Sequence, residues 1–512
     1  MAECKVIITT SGLGSRLGNL TEYTNKSLVR IGDLPIISHI INSYPKDTEL
    51  IITLGHFGSH VRQYVTLAHS DRNITFVDIP IYSGPNSSLG LTLLACRHLI
   101  DGPFIFHAGD TIVLDDVPVK GIYGNWIGIS DNTEIDSSNY RTIKLDFIGD
   151  VSEIQEKGAI YHSGIYIGLA HIAYWEKFFE YLESEKTRED LSDIHAINKL
   201  ISNRMPFKRF RMRWLDCGNS TALISAREKI PCSYHVLDKV RENIFMDAEH
   251  VYKFNSEPQV MSCMVSRYKI LERSLPKNLE FTENFIKYSK VKGFEYSKCI
   301  TADNVKNFVE FAFRHLWVNC QRVDDDSMED FYRTKTLNRI KDIPDKEERI
   351  RGVWIPTAKE LIDKIPWIGC MWYRLNVQVH GDLVLDNIIF NPITQEFTLI
   401  DWRASFAGYM DRGDIYYDLA KFNHSLIIQH EMLESGNFTT DEDLEFSTSN
   451  RLTEVQPAFK ELILQLEDIQ WQKVEILTAL IWLNMAPLHG QKIQDFLFKL
   501  GKYYLYKALK NE

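Results

Sequence analysis

Up to about residue 228 the chain alternates short apolar runs with stretches of helical periodicity, and that alternation leaves few folds open. Apolar segments near 4–10, 50–54, 74–78 and 103–107 have the length of strands, while 35–44, 57–68 and 87–100 repeat their apolar residues at helical spacing. Strands separated by helices build a largely parallel α/β sheet, which binds ligands at the carboxyl ends of its strands. Two polar features stand at such ends. Val6-Ile7-Ile8-Thr9-Thr10 runs into Ser11-Gly12-Leu13-Gly14-Ser15-Arg16-Leu17-Gly18, and Phe104-Ile105-Phe106-His107-Ala108-Gly109 runs into Asp110.

Glycines in the first loop let backbone N–H groups approach phosphates closely, and Arg16 adds a fixed charge with fork geometry. A dinucleotide fingerprint needs Gly-x-Gly-x-x-Gly, whereas Gly12, Gly14 and Gly18 leave one residue too many before the last glycine. A Walker loop needs Gly-Lys-Ser/Thr, which is absent.

The loop instead resembles the signature of the sugar-phosphate and phosphocholine nucleotidylyltransferases, Gly-x-Gly-x-Arg-Leu followed by a lysine, here Lys26, with Asn25 where the family usually has Pro. Further elements follow in the family's order. Asp110 stands where a metal-binding carboxylate is expected, and Glu153-Ile154-Gln155-Glu156-Lys157 with Ser163-Gly164-Ile165-Tyr166 resembles the acceptor-binding elements, Gly158 replacing a Pro. Trp214-Leu215-Asp216-Cys217-Gly218-Asn219 resembles Trp-x-Asp-x-Gly-Thr, whose Asp completes the Mg²⁺ site. The resemblance implies that Gly12, Gly14, Arg16, Lys26 and Ser87 bind the nucleotide, with Arg16 and Lys26 acting on the reacting phosphates. It also implies that Glu156, Lys157 and Gly164 meet the acceptor, and that Asp110 and Asp216 hold the metal. The chemistry needs such a set, because a phosphate oxygen attacking the α-phosphorus brings two anions together.

A second constellation lies in the other half. His380-Gly381-Asp382-Leu383-Val384-Leu385-Asp386-Asn387 is followed, after a short apolar run, by Leu399-Ile400-Asp401-Trp402. Asp382 is placed to accept the proton of an attacking hydroxyl, and Asn387 and Asp401 offer hard oxygen ligands for Mg²⁺ on a triphosphate. Residues 377–379, 388–390 and 397–400 read as strands around this polar loop. The segment resembles the choline kinase and aminoglycoside phosphotransferase superfamily, whose Gly-Asp-Pro-x-x-Asp-Leu-Ala element is matched by Gly413-Asp414-Ile415-Tyr416-Tyr417-Asp418-Leu419-Ala420. Gly381 and Asp401-Trp402-Arg403 depart from the Arg and Asp-Phe-Gly of protein kinases, so a protein substrate is not expected. By the same resemblance Lys253 is the small-lobe lysine on the ATP phosphates, with Glu257 and Glu272 both open as its acidic partner.

The chain has 512 residues, 44% hydrophobic and 25% charged, as expected of folded domains rather than long disorder. A net charge of -11 disfavours nucleic acid and anionic lipid, and the basic run Lys208-Arg209-Phe210-Arg211-Met212-Arg213 reads as a strand bordering an anionic substrate site. Eight Cys without paired spacing fit free thiols in a reducing, cytoplasmic setting, and 476–488 reads as a core helix too short to span a bilayer. No signal peptide is read at the N-terminus.

Pro231 marks the expected boundary. Residues 1–230 are expected to form an α/β, Rossmann-like nucleotidyltransferase domain with a mostly parallel sheet, and 231–512 an α+β, protein-kinase-like domain with a small lobe at about 235–300 and a helical large lobe at about 301–512. Together the resemblances imply a bifunctional transferase that phosphorylates a small hydroxyl compound with ATP and then couples that phosphate to a nucleotide from CTP or another NTP. Its product would be an activated precursor for cell-surface glycan decoration, capsule included. Mg²⁺ is expected at both sites, and the partners are the acceptor and its phosphate, with no nucleic acid and no membrane insertion; oligomeric state is left open. Two alternatives stand beside this reading: one half is a binding or regulatory module, or the chain is a drug-modifying phosphotransferase.

Overall fold

The computed structural model describes residues 4–120, 123–131, 135–234, 240–318, 321–323, 326–367, 373–376, 378–410, 412–466 and 469–510. The chain divides into two compact units: residues 1–258 with 280–288, and 259–279 with 289–512. The packing boundary therefore falls later than the one expected near 230.

The first unit is built on a nine-stranded sheet. In chain order its strands are β1 (Lys5–Thr9), β2 (Leu50–Leu54), β3 (Ile74–Asp78), β4 (Phe104–Ala108), β5 (Asn125–Ser130), β6 (Thr142–Leu145), β7 (Val151–Gln155), β8 (Ile165–Ile172) and β9 (Phe207–Arg211). Their spatial order is β3-β2-β1-β4-β8-β5-β9-β7-β6. The first four run parallel, and the helices α1 (Ile36–Asn42), α2 (Gly58–Ala68) and α3 (Leu89–Ala95) lie in the connections between them. Successive strand residues go to opposite faces: Val6 and Ile8 join one core with Leu50, Ile52 and Ile105, whereas Ile7 joins another with Ile51, Phe104 and Phe106. Both faces of β1, β2 and β4 are buried, which is why these strands read as continuous apolar runs, while β3 at the sheet edge is half-buried.

Beyond Asp110 the expectation of a mostly parallel sheet needs correcting. β8 pairs antiparallel with both β4 and β5, and β7 with both β6 and β9; only β9 with β5 is parallel. The reason is local. β6 and β7 are joined by the turn at residues 146–150, where Asp146 accepts backbone N–H bonds from Ile148, Gly149 and Asp150, and so short a link can make only an antiparallel pair.

A four-stranded sheet made of Glu242–Met246, His250–Asn255, Glu280–Phe281 and Phe285–Ser289 also belongs to this unit, all but Ser289. Its aromatics pack on α2, with Tyr64 in ring contact with Phe245, Tyr252 and Phe285 at 5.3, 5.5 and 5.7 Å. These residues were expected to start the small lobe of the second domain, yet apolar burial ties them to the core of the first unit.

In the second unit helices dominate. Ile388–Asn391 and Glu396–Leu399 form a hairpin that Phe294–Glu295 extends, and Tyr373–Asn376 is a strand in place of the one expected at 377–379, whose first residue lies outside the described residues. The helix Ile415–Ile427 is buried along nearly its whole length, and it packs with Asn450–Leu464 and Trp471–Met485. The last of these includes most of the core helix expected at 476–488. Among the described residues no helix is long and apolar enough to cross a membrane.

Candidate functional site

The loop after β1 turns at Gly14, whose φ of 69° is left-handed. A Cβ there would also come within 2.8 Å of Lys26 Cβ, so glycine is required twice over: for the turn, and for Lys26 to pass close behind it. Asn25, in the usual Pro position, donates from Nδ2 to the carbonyls of Thr10 and His56 and accepts from the Ser27 N–H and hydroxyl. Those four bonds fix the lysine's backbone as a ring would. Lys26 Nζ then reaches Asp110 Oδ2 at 3.0 Å.

Asp110 follows β4 and Asp216 ends the strand Trp214–Asp216, which pairs antiparallel with Thr111–Val113 so that Asp216 lies opposite Thr111. The Cys217 N–H donates to the Asp110 carbonyl at 2.9 Å. Between the carboxylates lies Gly218: a Cβ on it would stand 3.1 Å from Asp110 Oδ2, 3.1 Å from Asp216 Oδ1 and 3.3 Å from Arg16 Nη2. The missing side chain leaves a small polar cradle between two acids and a guanidinium. Asp216 Oδ1 accepts from the Gly218 N–H, and Oδ2 from Tyr140 Oη at 2.8 Å and Asn219 Nδ2 at 3.1 Å.

Charge divides the two acids. Burial alone would push the Asp110 carboxyl up, but the ammonium of Lys26 and the guanidinium of Arg16 hold it below the usual range. Asp216 is raised, by burial first and also by the nearby negative charge of Asp110, against the pull of the Gly218 N–H, Tyr140 and Arg16. A carboxylate whose proton affinity is raised by the charge of a neighbouring carboxylate is what a divalent cation relieves. Among the described residues no group of three or more His, Cys, Asp and Glu forms a metal cage. Two adjacent carboxylates fit Mg²⁺, which keeps several waters and is shared with substrate phosphates.

A cavity of about 1020 Å³ opens over these groups, lined among others by Gly12, Arg16, Lys26, Ser87, Asp110 and Asp216. Lys157 also lines it, while Glu156 is exposed and pairs with Arg141 at 3.5 Å. Gly164 is buried, and a Cβ there would stand 3.3 Å from Ile129 Cδ1, a packing constraint beside the cavity. Sequence reasoning missed Tyr140, and it missed the pair in which Tyr166 Oη donates to Asp193 Oδ2 at 2.7 Å. Tyr140 stands in an irregular loop with no motif around it; Asp193, opening the helix Asp193–Ser202, looked like ordinary helix-start chemistry.

The second constellation gathers in the second unit. Asp418 accepts from the His380 and Gly381 N–H groups at 2.8 Å each, which fixes the turn that presents Asp382. Asn387 Nδ2 donates to the Asp382 carbonyl at 2.9 Å, leaving its amide oxygen for a cation, and the Ile400 N–H donates to the Asn387 carbonyl at 2.9 Å. That last bond sets Asp401 beside Asn387, with Asp401 exposed at a left-handed φ of 60°. An amide oxygen and a carboxylate at one strand end fit a hydrated Mg²⁺ on a triphosphate. Lys421, which no motif reasoning singled out as a site residue, places Nζ 2.9 Å from Asp382 Oδ1. Burial would raise the Asp382 carboxyl, but Lys421 and Arg403 hold it well below the usual range. Lys253 is buried on the strand His250–Asn255, within the first unit, and of its two proposed acidic partners Glu257 is engaged by Arg241.

No family model matches the chain. Its N-terminal half resembles the bifunctional protein GlmU of Methanococcus aeolicus, 27% identical over 251 residues that make up 46% of this chain and 56% of that protein. The GlmU protein of Methanocaldococcus jannaschii is 24% identical over 257 residues, 48% of this chain and 59% of its own. The chain thus spans somewhat over half the length of the curated relatives it matches. Among solved structures, a putative glucose-1-phosphate thymidylyltransferase from Bacillus anthracis aligns with 46% of this chain and 98% of its own at 20% identity and a TM-score of 0.38. The CTP:phosphocholine cytidylyltransferase of Streptococcus pneumoniae aligns with 44% of this chain and 99% of its own at 17% identity, again with a TM-score of 0.38.

Proposed function

We propose that the first unit transfers a nucleotidyl group from CTP or another NTP to a phosphorylated small molecule, releasing pyrophosphate. The observation that supports this best is the convergence of Arg16, Lys26, Asp110 and Asp216 around one cavity at the carboxyl ends of β1 and β4. An acceptor phosphate oxygen attacks the α-phosphorus, the bond to the β-phosphate oxygen breaks, and pyrophosphate leaves. Arg16 and Lys26 lie where negative charge accumulates on the phosphates, and preorganised cations of this kind supply much of the barrier reduction in such transfers. Bound between Asp110 and Asp216, Mg²⁺ would supply Lewis-acid charge neutralisation. Lys157, on the cavity wall, is proposed to meet the acceptor's phosphate, and Glu156 and Gly164 its substituent.

For the second unit we infer phosphorylation of a small alcohol by ATP. Asp382 accepts the hydroxyl proton as the oxygen attacks the γ-phosphorus and ADP departs; Asn387 and Asp401 would hold Mg²⁺, which neutralises the triphosphate. The first product is then the substrate of the nucleotidyl transfer, and fusion holds it at a raised effective concentration. The proposed setting is cytoplasmic synthesis of an activated precursor for surface glycans such as capsule.

The test is incubation of the full chain with Mg²⁺, each of the four NTPs and a panel of phosphorylated acceptors, following pyrophosphate and the nucleotide-linked product by mass spectrometry. Pyrophosphate release with no acceptor and no nucleotide would reject the first transfer.

A further inference from the structure

The surroundings of Asp382 carry more positive charge than a proton acceptor alone requires. Lys421 Nζ stands 2.9 Å and Arg403 Nη2 4.0 Å from Asp382 Oδ1. A third cation, Lys335, opens the helix Lys335–Ile340 directly after a π-helical turn at Asp330–Thr334. Such turns are rare and concentrate at functional sites. Lys335 is half-buried, it feels the charges of Arg403, Arg339 and Lys421 more strongly than the opposing carboxylate of Asp382, and it makes no salt bridge among the described residues.

The aromatic rings beside this site are already faced by ammonium groups. Lys335 Nζ lies 4.2 Å from the centroid of Phe331, and Lys421 Nζ lies 6.0 Å from that of Tyr417. Phe406 joins the two rings, at 4.8 Å from Phe331 and 5.2 Å from Tyr417. A cationic amino alcohol is held by open aromatic faces and nearby carboxylates. Here the faces are taken by the protein's own lysines, and an incoming cation would meet like charge where screening is weak.

We propose that the acceptor of this site is an anion, a small alcohol that also bears a carboxylate or phosphate group, with Lys335 pairing with that group while Asp382 takes the hydroxyl proton. The proposal rests on the kinase reading of Asp382, Asn387 and Asp401. The acceptor's oxygen gains the bond to the γ-phosphorus, ADP carries away the electrons of the broken bond, and the acceptor's acidic group is unchanged. Lys335 is thus a specificity residue: it selects the acceptor's charge and takes no proton.

The experiment follows ADP release by the full chain with ATP and Mg²⁺ against D-glycerate, glycerol 3-phosphate, glycerol, choline and ethanolamine. The expected result is a kcat/KM for an anionic acceptor about 10²-fold above that for choline. Lys335→Gln is expected to raise KM for that acceptor about tenfold with a smaller change in kcat, and Lys335→Arg to restore it. The thermal midpoint reports whether each variant folds, and Arg339→Gln, on the exposed face, gives a weaker shift of the same sign should Lys335→Gln fail to fold. Equal or better use of choline or ethanolamine overturns the anionic acceptor and leaves the kinase reading standing, as does an unchanged KM in Lys335→Gln. No ADP release with any acceptor removes the kinase reading, and the anionic acceptor with it.

Discussion

Lys26 Nζ lies 3.0 Å from Asp110 Oδ2, an ion pair closed by two residues 84 positions apart in the chain. The pair joins the loop after the first strand to the end of the fourth, so two walls of the cavity are set relative to each other by the protein's own side chains.

Lys26→Ala is expected to lower kcat for pyrophosphate release by about 10²–10³, the range seen when one preorganised donor to a developing charge is removed. Coupled assays on the same sample should show ADP formation continuing. Near wild-type pyrophosphate release would mean that the lysine binds nothing that reacts.

Gly218→Ala tests the cradle directly. Its Cβ would stand 3.1 Å from an oxygen of each carboxylate, and moving a reacting group by even 1 Å costs up to about 10²-fold in rate. A Mg²⁺ titration of pyrophosphate release should show a weakened metal requirement curve, shifted to higher concentration, with the fold intact by circular dichroism.

Asp382→Asn removes the proposed proton acceptor while keeping shape. ADP release is expected to fall by about 10²–10⁴, the usual contribution of a general base, with nucleotidyl transfer to a supplied phosphorylated acceptor retained.

Asp418→Ala acts on folding. The carboxylate is fully buried and holds the N–H groups of both His380 and Gly381, so its loss leaves two buried donors unpaired, at a cost of about 3 kcal/mol or more. Chemical denaturation of the full chain should show the second unit losing stability.

Lys335 gives a pH dependence. Burial first, then Arg403, Arg339 and Lys421, lower its ammonium from 10.5 to about 8. A lysine lowered on folding is charged at a cost below about pH 8, and the folded state gains stability as pH rises from about 8 towards 10.5. Lys335→Met is therefore expected to raise the thermal midpoint at pH 7, with the gain fading by pH 10. In the wild type, KM for an anionic acceptor should climb between pH 7 and pH 9 as the charge is lost.

Local sequence carried much of this architecture. β1, β2 and β4 are buried on both faces, which makes their apolar runs continuous and their limits easy to read. The loop glycines and Asp110, Asp216, Asn387 and Asp401 could be placed because each sits at a strand end. Less visible were features fixed by partners distant in sequence. The antiparallel half of the sheet depends on how β8 enters between β4 and β5, and no periodicity encodes that. Tyr140 and Lys421 touch the acids across 76 and 39 residues of chain, Tyr140 with no motif around it and Lys421 just past the element at 413–420, whose pattern does not extend to it. The attachment of residues 242–258 and 280–288 to the first unit arises from aromatic packing on Tyr64, which composition alone does not reveal.

The chain leaves the first unit after Pro258, comes back for Glu280–Tyr288 and departs again. A single cut in the gene therefore cannot release both units with all their segments. A fragment ending at Pro258 would lack Glu280–Tyr288 and with it two strands of the four-stranded sheet, so a cut has to fall beyond Tyr288 to keep the first unit whole.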